Sequence, residues 1–116
     1  MRNIFQVLIL CFGCLNALAA EDTLIAMCYG PGLYGNKTAN GQVLTRQTTG
    51  AAHRRWPLGS DLNLKCNGKN VNIKIIDRGP YSRIGSLDLT EATVRNLGYA
   101  NCSHFGVRRV VVQKLH

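Results

Sequence analysis

The segment from residue 61 to residue 77, DLNLKCNGKNVNIKIID, restricts the fold of this sequence more than any other. Polar and apolar residues alternate in its first half, and they alternate again from Val71 to Ile75. A period of two is typical of a β-strand with one buried face. Asn67-Gly68, between the halves, is a preferred sequence for a tight hairpin turn. The segment therefore predicts a β-hairpin whose second strand ends at Asp77, immediately before Arg78-Gly79-Pro80.

The rest of the chain predicts further short strands and one helix. Strands are expected at Thr23–Tyr29, within Gln42–Thr49, and at Val107–Leu115. The one convincing helix begins within the stretch Asp88-Leu89-Thr90-Glu91, where Thr90 is a natural N-cap, and it closes at Gly98. Six or so short strands and one small helix predict an all-β fold, a compact β-barrel.

The first twenty residues have the features of a signal peptide. Arg2 supplies a positive charge, Val7 to Leu15 is almost wholly apolar, and Ala17-Leu18-Ala19 offers small residues for cleavage after Ala19 or Ala20. A lipoprotein with Cys11 or Cys14 acylated is the weaker alternative. We therefore expect secretion to the periplasm or cell envelope, a mature domain over residues 21–116, and no stable membrane insertion after cleavage.

The chain is basic, with a formal net charge of +8 at pH 7. A basic surface attracts polyanions. Because the sequence carries no nucleic-acid-binding motif, an anionic cell wall or membrane surface is a better candidate than nucleic acid. Simple solubility is the plainer explanation of the charge.

Cys28, Cys66 and Cys102 remain after the signal segment. An oxidising compartment favours one disulfide with one cysteine left over, and the sequence does not choose among the three pairings. Cys66 could equally be a small buried apolar residue. The histidines lack the spacing of metal ligands, so no metal and no cofactor are expected.

Several short motifs occur in an order that resembles the rare lipoprotein A (RlpA) family. They are Tyr29-Gly30-Pro31-Gly32, residues 35–41 (GNKTANG), Ala51-Ala52-His53, residues 76–81 (IDRGPY) and residues 87–90 (LDLT). The resemblance covers residues 26–115 and implies a six-stranded double-psi β-barrel related to barwin and expansin domains.

The resemblance also implies an activity, that of an endolytic lytic transglycosylase acting on the glycan strands of peptidoglycan. In that reaction the muramic sugar's own 6-hydroxyl attacks its anomeric carbon and leaves an anhydro-muramic end. One acid can protonate the leaving oxygen and then, as a carboxylate, accept the hydroxyl proton. Two other functions remain open: an expansin-like module that binds wall glycan without cutting it, and a secreted effector or inhibitor that binds a protein. A monomer is expected.

By this resemblance Asp77 and His53 are the candidate catalytic residues. Asp77 would be the acid, and His53 would donate to a sugar hydroxyl or orient Asp77. The alternative for Asp77 is that it accepts backbone N–H bonds in its own turn.

The candidate substrate-binding residues include one departure from the family pattern. The family usually has a glutamate where this chain has Gln42, and an amide carries no charge and transfers no proton. Aromatic side chains beside the motifs could stack on sugar rings, and Asp88 could either serve the groove or favour the helix end electrostatically. The full set is Gln42, Asp88, Thr38, Tyr81, Trp56 and Arg78.

Overall fold

A computed structural model describes residues 20–115 of the chain. The predicted signal peptide, residues 1–20, lies outside this range except for its last residue. Within the range, none of the helices has the length and apolar character needed to cross a membrane.

Six strands form a closed barrel in the described part of the chain. Around the barrel the strands follow the order β1-β5-β2-β4-β3-β6, and β6 pairs with β1 to close it. Most neighbours are antiparallel, whereas β1–β5 and β2–β4 are parallel. The strands are β1 (Glu21–Tyr29), β2 (Ala51–Ala52), β3 (Asp61–Cys66), β4 (Lys69–Asp77), β5 (Leu87–Thr90) and β6 (Arg108–Lys114).

The hairpin over residues 61–77 is confirmed. β3 and β4 pair antiparallel with Leu64 opposite Val71. Asn67 and Gly68 connect them, with positive φ angles of 57° and 71°. Positive φ at both central residues is the geometry for which Asn-Gly is selected.

The barrel interior is filled by the apolar residues that alternate along these strands. Leu62, Leu64, Ile75, Leu87 and Leu89 are fully buried. Strand residues one position away from these point to the outer surface, since successive side chains alternate between the faces of a strand. This alternation decides which residues can line an outer cleft.

Two short helices follow β5, where the sequence predicted one. α1 (Glu91–Asn96) has Thr90 as its N-cap, and the Thr90 side chain accepts from the Thr93 N–H. This cap was predicted, and Gly98 follows the helix with a φ of 97°. α2 (Cys102–Phe105) was missed because it has only four residues, with Asn101 as its N-cap.

Two other predictions were wrong in position. Gln42–Thr49 contains no strand, only an isolated bridge between Lys37 and Val43, and the strand of this region is the two-residue β2. The helix start was assigned to residues 88–91, but residues 88–90 belong to β5 and the helix begins at Glu91. The sequence did not reveal β5 because the residues that signal a helix start follow it directly.

One disulfide joins Cys28 at the end of β1 to Cys102 at the start of α2, across a sequence separation of 74 residues. Cys66 is the cysteine left over, as the count predicted, and it is half-buried with its sulfur 3.6 Å from the Tyr99 hydroxyl. The disulfide fixes α2 to the barrel beside β1.

A β-bulge interrupts the pairing of β2 with β4. Ala51 pairs with Ile75, but Ala52 pairs with Asp77, so Ile76 is an extra residue in β4. Ile76 is itself buried and packs on Gly50, where a Cβ would meet its side chain at 2.9 Å and where φ is +145°. Glycine at position 50 therefore gives the bulge its room, and the bulge sets the position of Asp77.

Candidate active site

The bulge and the short strand β2 bring two aspartates together. Ala52 pairs with Asp77 of β4 on one side and with Asp88 of β5 on the other. Residues directly opposite each other point to the same face of a sheet. Two strand spacings separate the backbones of the two aspartates, which is about 10 Å. The methyl group of Ala52 fills little of the space between them.

This pair lies on the outer surface of the barrel. Asp88 stands between Leu87 and Leu89, which both fill the core, and Ala52 likewise follows the core residue Ala51. If side chains alternated strictly along β4, the Asp77 side chain would point into the barrel. The extra residue Ile76 turns Asp77 into the outer cleft instead.

Asp77 accepts hydrogen bonds at both carboxylate oxygens. Its Oδ1 accepts from the backbone N–H groups of Ala39 and Arg78, each at 2.9 Å. Its Oδ2 lies 3.4 Å from the Tyr29 hydroxyl. The bond from Arg78 is the turn interaction that the sequence offered as an alternative role. The bond from Ala39 also ties the loop at residues 38–42 to the cleft.

Asp88 is held differently. Its Oδ1 is buried without a hydrogen-bond partner. No other side-chain nitrogen or oxygen of residues 20–115 is both buried and unpaired. Burial, and secondarily the negative charge of Asp77, raise the pKa of Asp88 to about 6. A carboxyl with this pKa keeps its proton much closer to neutral pH than an ordinary aspartate does.

Tyr29 completes the carboxyl cluster. Burial raises its pKa above the ordinary value, and the charges of Asp77 and Asp88 raise it further. The phenol therefore stays protonated and can donate to Asp77. The sequence placed Tyr29 in a family motif but gave no signal for a role beside Asp77.

The cleft that contains both aspartates has a volume of about 340 Å³. Arg78 and Tyr81 lie on its walls, and Tyr81 is 82% exposed, so its ring is free to contact a ligand. Several other lining residues gave no chemical signal in the sequence, because their side chains are apolar or small. These are Met27, Leu33, Ala52, Pro80 and Ser82.

His53 does not contact the carboxylate of Asp77 through its ring. Their hydrogen bond is between backbones, from His53 N–H to the Asp77 carbonyl at 3.1 Å. The ring Nδ1 accepts from the N–H groups of Arg55 and Trp56, at 3.0 and 2.9 Å. Nδ1 is therefore unprotonated and Nε2 carries the hydrogen. Nε2 is the remaining donor of the ring, although His53 is not among the residues that line the cleft.

The rings of His53 and Trp56 stack, with centroids 4.0 Å apart and an interplanar angle of 6°. Burial, followed by four neighbouring positive charges, lowers the pKa of His53 to about 4. We call these four residues the cationic rim: Arg54, Arg55, Arg78 and Lys114.

Gln42 and Thr38 belong to the loop beside the cleft. The Gln42 side chain is exposed, its Oε1 accepts from Asn40 at 2.8 Å, and it lines a separate depression with Ile76 and Lys74. Thr38 lines a small pocket that also includes Tyr29 and Asp77. The structure thus brings together Asp77, Asp88, Arg78 and Tyr81, sets Thr38 beside them, and leaves Gln42 outside the cleft.

Comparison with known sequences identifies the family. Residues 26–112 match the family model described as lytic transglycolase. The endolytic peptidoglycan transglycosylase RlpA of Pseudomonas aeruginosa is 37% identical over 76% of this chain and 26% of its own length. A relative from Aquifex aeolicus, named "Probable endolytic peptidoglycan transglycosylase RlpA", is 43% identical over 63% of this chain and 33% of its own length. This chain spans only about a quarter to a third of these relatives.

Comparison with solved structures identifies the fold. An expansin variant from Clavibacter michiganensis, in complex with cellohexaose, has a TM-score of 0.64 over 84% of this chain and 51% of its own, at 14% identity. A Streptomyces papain inhibitor has a TM-score of 0.61 over 85% of this chain and 97% of its own, at 16% identity. These likenesses confirm the double-psi β-barrel, and the sequence matches show that the chain belongs to the lytic transglycolase family, together with the RlpA proteins.

Proposed function

We propose that this domain is an endolytic lytic transglycosylase that cuts the glycan strand of peptidoglycan between N-acetylmuramic acid and N-acetylglucosamine. One observation carries the proposal: two carboxyl groups flank Ala52 in one cleft, and one of them is buried without a partner. The names of the relatives support the substrate and the reaction class.

Asp88 is the proposed acid. Its raised pKa suits a proton donor, and Asp88 lines the cleft in which the strand would lie. Asp88 protonates the glycosidic oxygen as the bond to the anomeric carbon breaks. The 6-hydroxyl of the same muramic sugar then bonds to that carbon, and its proton passes to the Asp88 carboxylate. The acid is restored and no water is consumed.

Asp77 takes the second role in this proposal. The transition state of glycoside cleavage carries positive charge on the sugar ring. A carboxylate held by two backbone N–H groups and Tyr29 is a fixed negative charge that stabilises this state without moving. The sequence had favoured Asp77 as the acid and Asp88 as a groove residue. The hydrogen bonds of Asp77 and the burial of Asp88 instead favour Asp88 as the acid.

His53, Tyr81 and Trp56 are proposed to hold the sugar. The free Nε2 of His53 can donate to a hydroxyl, and the exposed ring of Tyr81 can stack on a sugar face. The Trp56 ring is half-buried against the core, so it supports His53 through their stacked rings.

The proposed location is the cell envelope after secretion. The signal-like segment at residues 1–20 and the Cys28–Cys102 disulfide, which suits an oxidising compartment, support it. Fusion of these residues to a reporter that is active only outside the cytoplasm tests it, and an inactive reporter would contradict it.

Cleavage is tested on purified sacculi and on peptide-stripped glycan, with mass spectrometry used to look for anhydro-muramic ends. We expect such ends from the wild-type protein and a large loss from Asp88→Asn. If the protein pellets with sacculi but produces no anhydro ends, the domain is an expansin-like binding module and the proposal fails.

A further inference from the structure

The cationic rim gathers four positive side chains around the stacked rings of His53 and Trp56. Within residues 20–115 the ion pairs are Glu21–Lys65, Asp61–Lys74 and Glu91–Arg95. None of them includes a rim residue. The four positive side chains therefore have no ion-pair partner among the described residues.

Two of the rim residues are built into the wall of the cleft. The Arg54 guanidinium donates to the carbonyls of Pro80 and Ser82, both of which line the cleft. The Arg78 guanidinium donates to the carbonyls of His53 and Trp56, at 3.2 and 2.7 Å. These bonds fix two positive charges at the edge of the site and hold its loops together.

The other two rim residues are free to bind a ligand. Arg55 is exposed, and its backbone N–H, not its side chain, makes the contact with His53. The Lys114 ammonium lies over the Trp56 ring, 5.0 Å from its centroid, and is also exposed. This contact leaves the three N–H donors of the ammonium open to an anion.

We propose that the cationic rim binds carboxylate groups carried by the glycan strand, so that the cleft selects an anionic strand over a neutral one. The inference rests on the proposed function, because it concerns the substrate of the same cleft. Carboxylates can come from two parts of a peptidoglycan strand: the stem peptide or, where that peptide has been removed, the lactyl group of the muramic sugar. Guanidinium and ammonium groups recognise either source by charge-assisted hydrogen bonds.

The test compares two double variants that remove the same charge. Arg55→Gln with Lys114→Gln removes the free part of the rim. Lys69→Gln with Arg109→Gln removes one lysine and one arginine that are exposed elsewhere on the barrel. Both pairs are made in an Asp88→Asn background, so that no strand is cut during the binding measurement.

Binding is measured by calorimetry with soluble peptide-bearing strands, with amidase-stripped strands, and with neutral chitohexaose. The rim pair should weaken binding of carboxylate-bearing strands about three- to tenfold, and the control pair should change it little. Neither pair should alter binding of chitohexaose. Raising KCl should reduce the difference, because salt screens exposed charges.

The losses of affinity for the different glycan strands identify the source of the carboxylate. A loss confined to peptide-bearing strands assigns the stem peptide, and a loss confined to stripped strands, in which the lactyl carboxylate is free, assigns the lactyl group. Losses with both strands mean that the rim accepts either carboxylate. Equal losses from the rim and control pairs, or an equal loss with chitohexaose, would overturn the inference. The separate assay for anhydro-muramic ends on the wild-type protein decides the proposed function, so the two failures are distinguishable.

Discussion

Asp88 and Glu91 lie three residues apart in the chain, and both are shielded from solvent, yet their environments shift their pKa values in opposite directions. The Glu91 carboxylate accepts from Cys102 N–H, the Tyr34 hydroxyl and Arg95. The bond from Cys102 is the main reason that the pKa of Glu91 is lowered. Asp88 has a buried oxygen with no donor, and its pKa rises to about 6.

The difference shows that burial alone does not decide the charge of a carboxyl group. Hydrogen-bond donors keep Glu91 ionised and make it part of the scaffold between α1 and α2. Their absence leaves Asp88 ready to hold a proton. Variants of the two residues can separate a structural acid from a functional one.

The largest expected effect is on catalysis. Asp88→Asn should lower the rate of anhydro-end formation by about 10²- to 10⁴-fold, the usual contribution of a general acid. The amide has nearly the same size, so the fold should persist. Rates are compared by mass spectrometry, with circular dichroism as the control for folding. A variant that keeps more than a tenth of the wild-type rate would remove Asp88 from the role of acid.

Glu91→Ala should affect stability far more than chemistry. It leaves the half-buried Cys102 N–H and Arg95 without this acceptor, and loss of one partner in such a network costs about 2–4 kcal/mol of unfolding free energy. Urea unfolding measures this, with Glu91→Gln as the milder control. Cleavage at a temperature where the variant is folded should remain close to the wild-type rate. A selective loss of cleavage would contradict the structural role.

The pH dependence of stability should separate two titrating groups. Because the pKa of Asp88 is raised from 3.8 to about 6, the folded state favours the protonated acid, and stability is lost as pH rises from about 4 to about 6. His53 acts in the opposite sense over an overlapping range. Its pKa is lowered from 6.5 to about 4, so stability is lost as pH falls from about 6.5 to about 4.

Asp88→Asn removes the pH dependence of stability that is due to Asp88 and leaves the part that is due to His53. The variant should therefore be more stable than wild type at pH 7, by roughly 1–2 kcal/mol after allowance for partial exposure, and the advantage should vanish near pH 4. Thermal unfolding across this range measures it. An advantage that is independent of pH would mean that the carboxyl is not destabilised by ionisation.

The smallest expected effect concerns Gln42. Its side chain lies outside the cleft, so Gln42→Glu should raise cleavage only modestly, through the long-range effect of one added negative charge. Steady-state rates at low and high salt measure this. A gain as large as the loss from Asp88→Asn would mean that residue 42 reaches the substrate directly.

Local sequence signals predicted the parts of the fold that local interactions form. The Asn67-Gly68 hairpin and the Thr90 cap depend on residues close together in the chain, and both are confirmed. β2 and β5 were missed because they are two and four residues long. Such short strands are stabilised by partners far away in sequence, including the parallel pairs with β4 and β1.

The arrangement of the site depends on these missed elements. Motif resemblance selected Asp77 and Asp88, but their common neighbour Ala52 is defined only by the pairing of β2 with two strands. The bulge at Ile76 also overrides the alternation that would have turned Asp77 inward. The division of roles between the aspartates follows from burial and hydrogen bonds, which residue patterns do not contain.

The most direct test of this account is an NMR titration of the Asp88 side-chain carboxyl carbon in the wild-type protein and in Asp77→Asn. We predict a pKa of about 6 for Asp88 in the wild type. In the variant this pKa should fall, because the neighbouring negative charge is gone, but it should remain above the ordinary value because burial persists. A wild-type Asp88 that titrates near 3.8, like an exposed aspartate, would contradict the assignment of the proton to this residue.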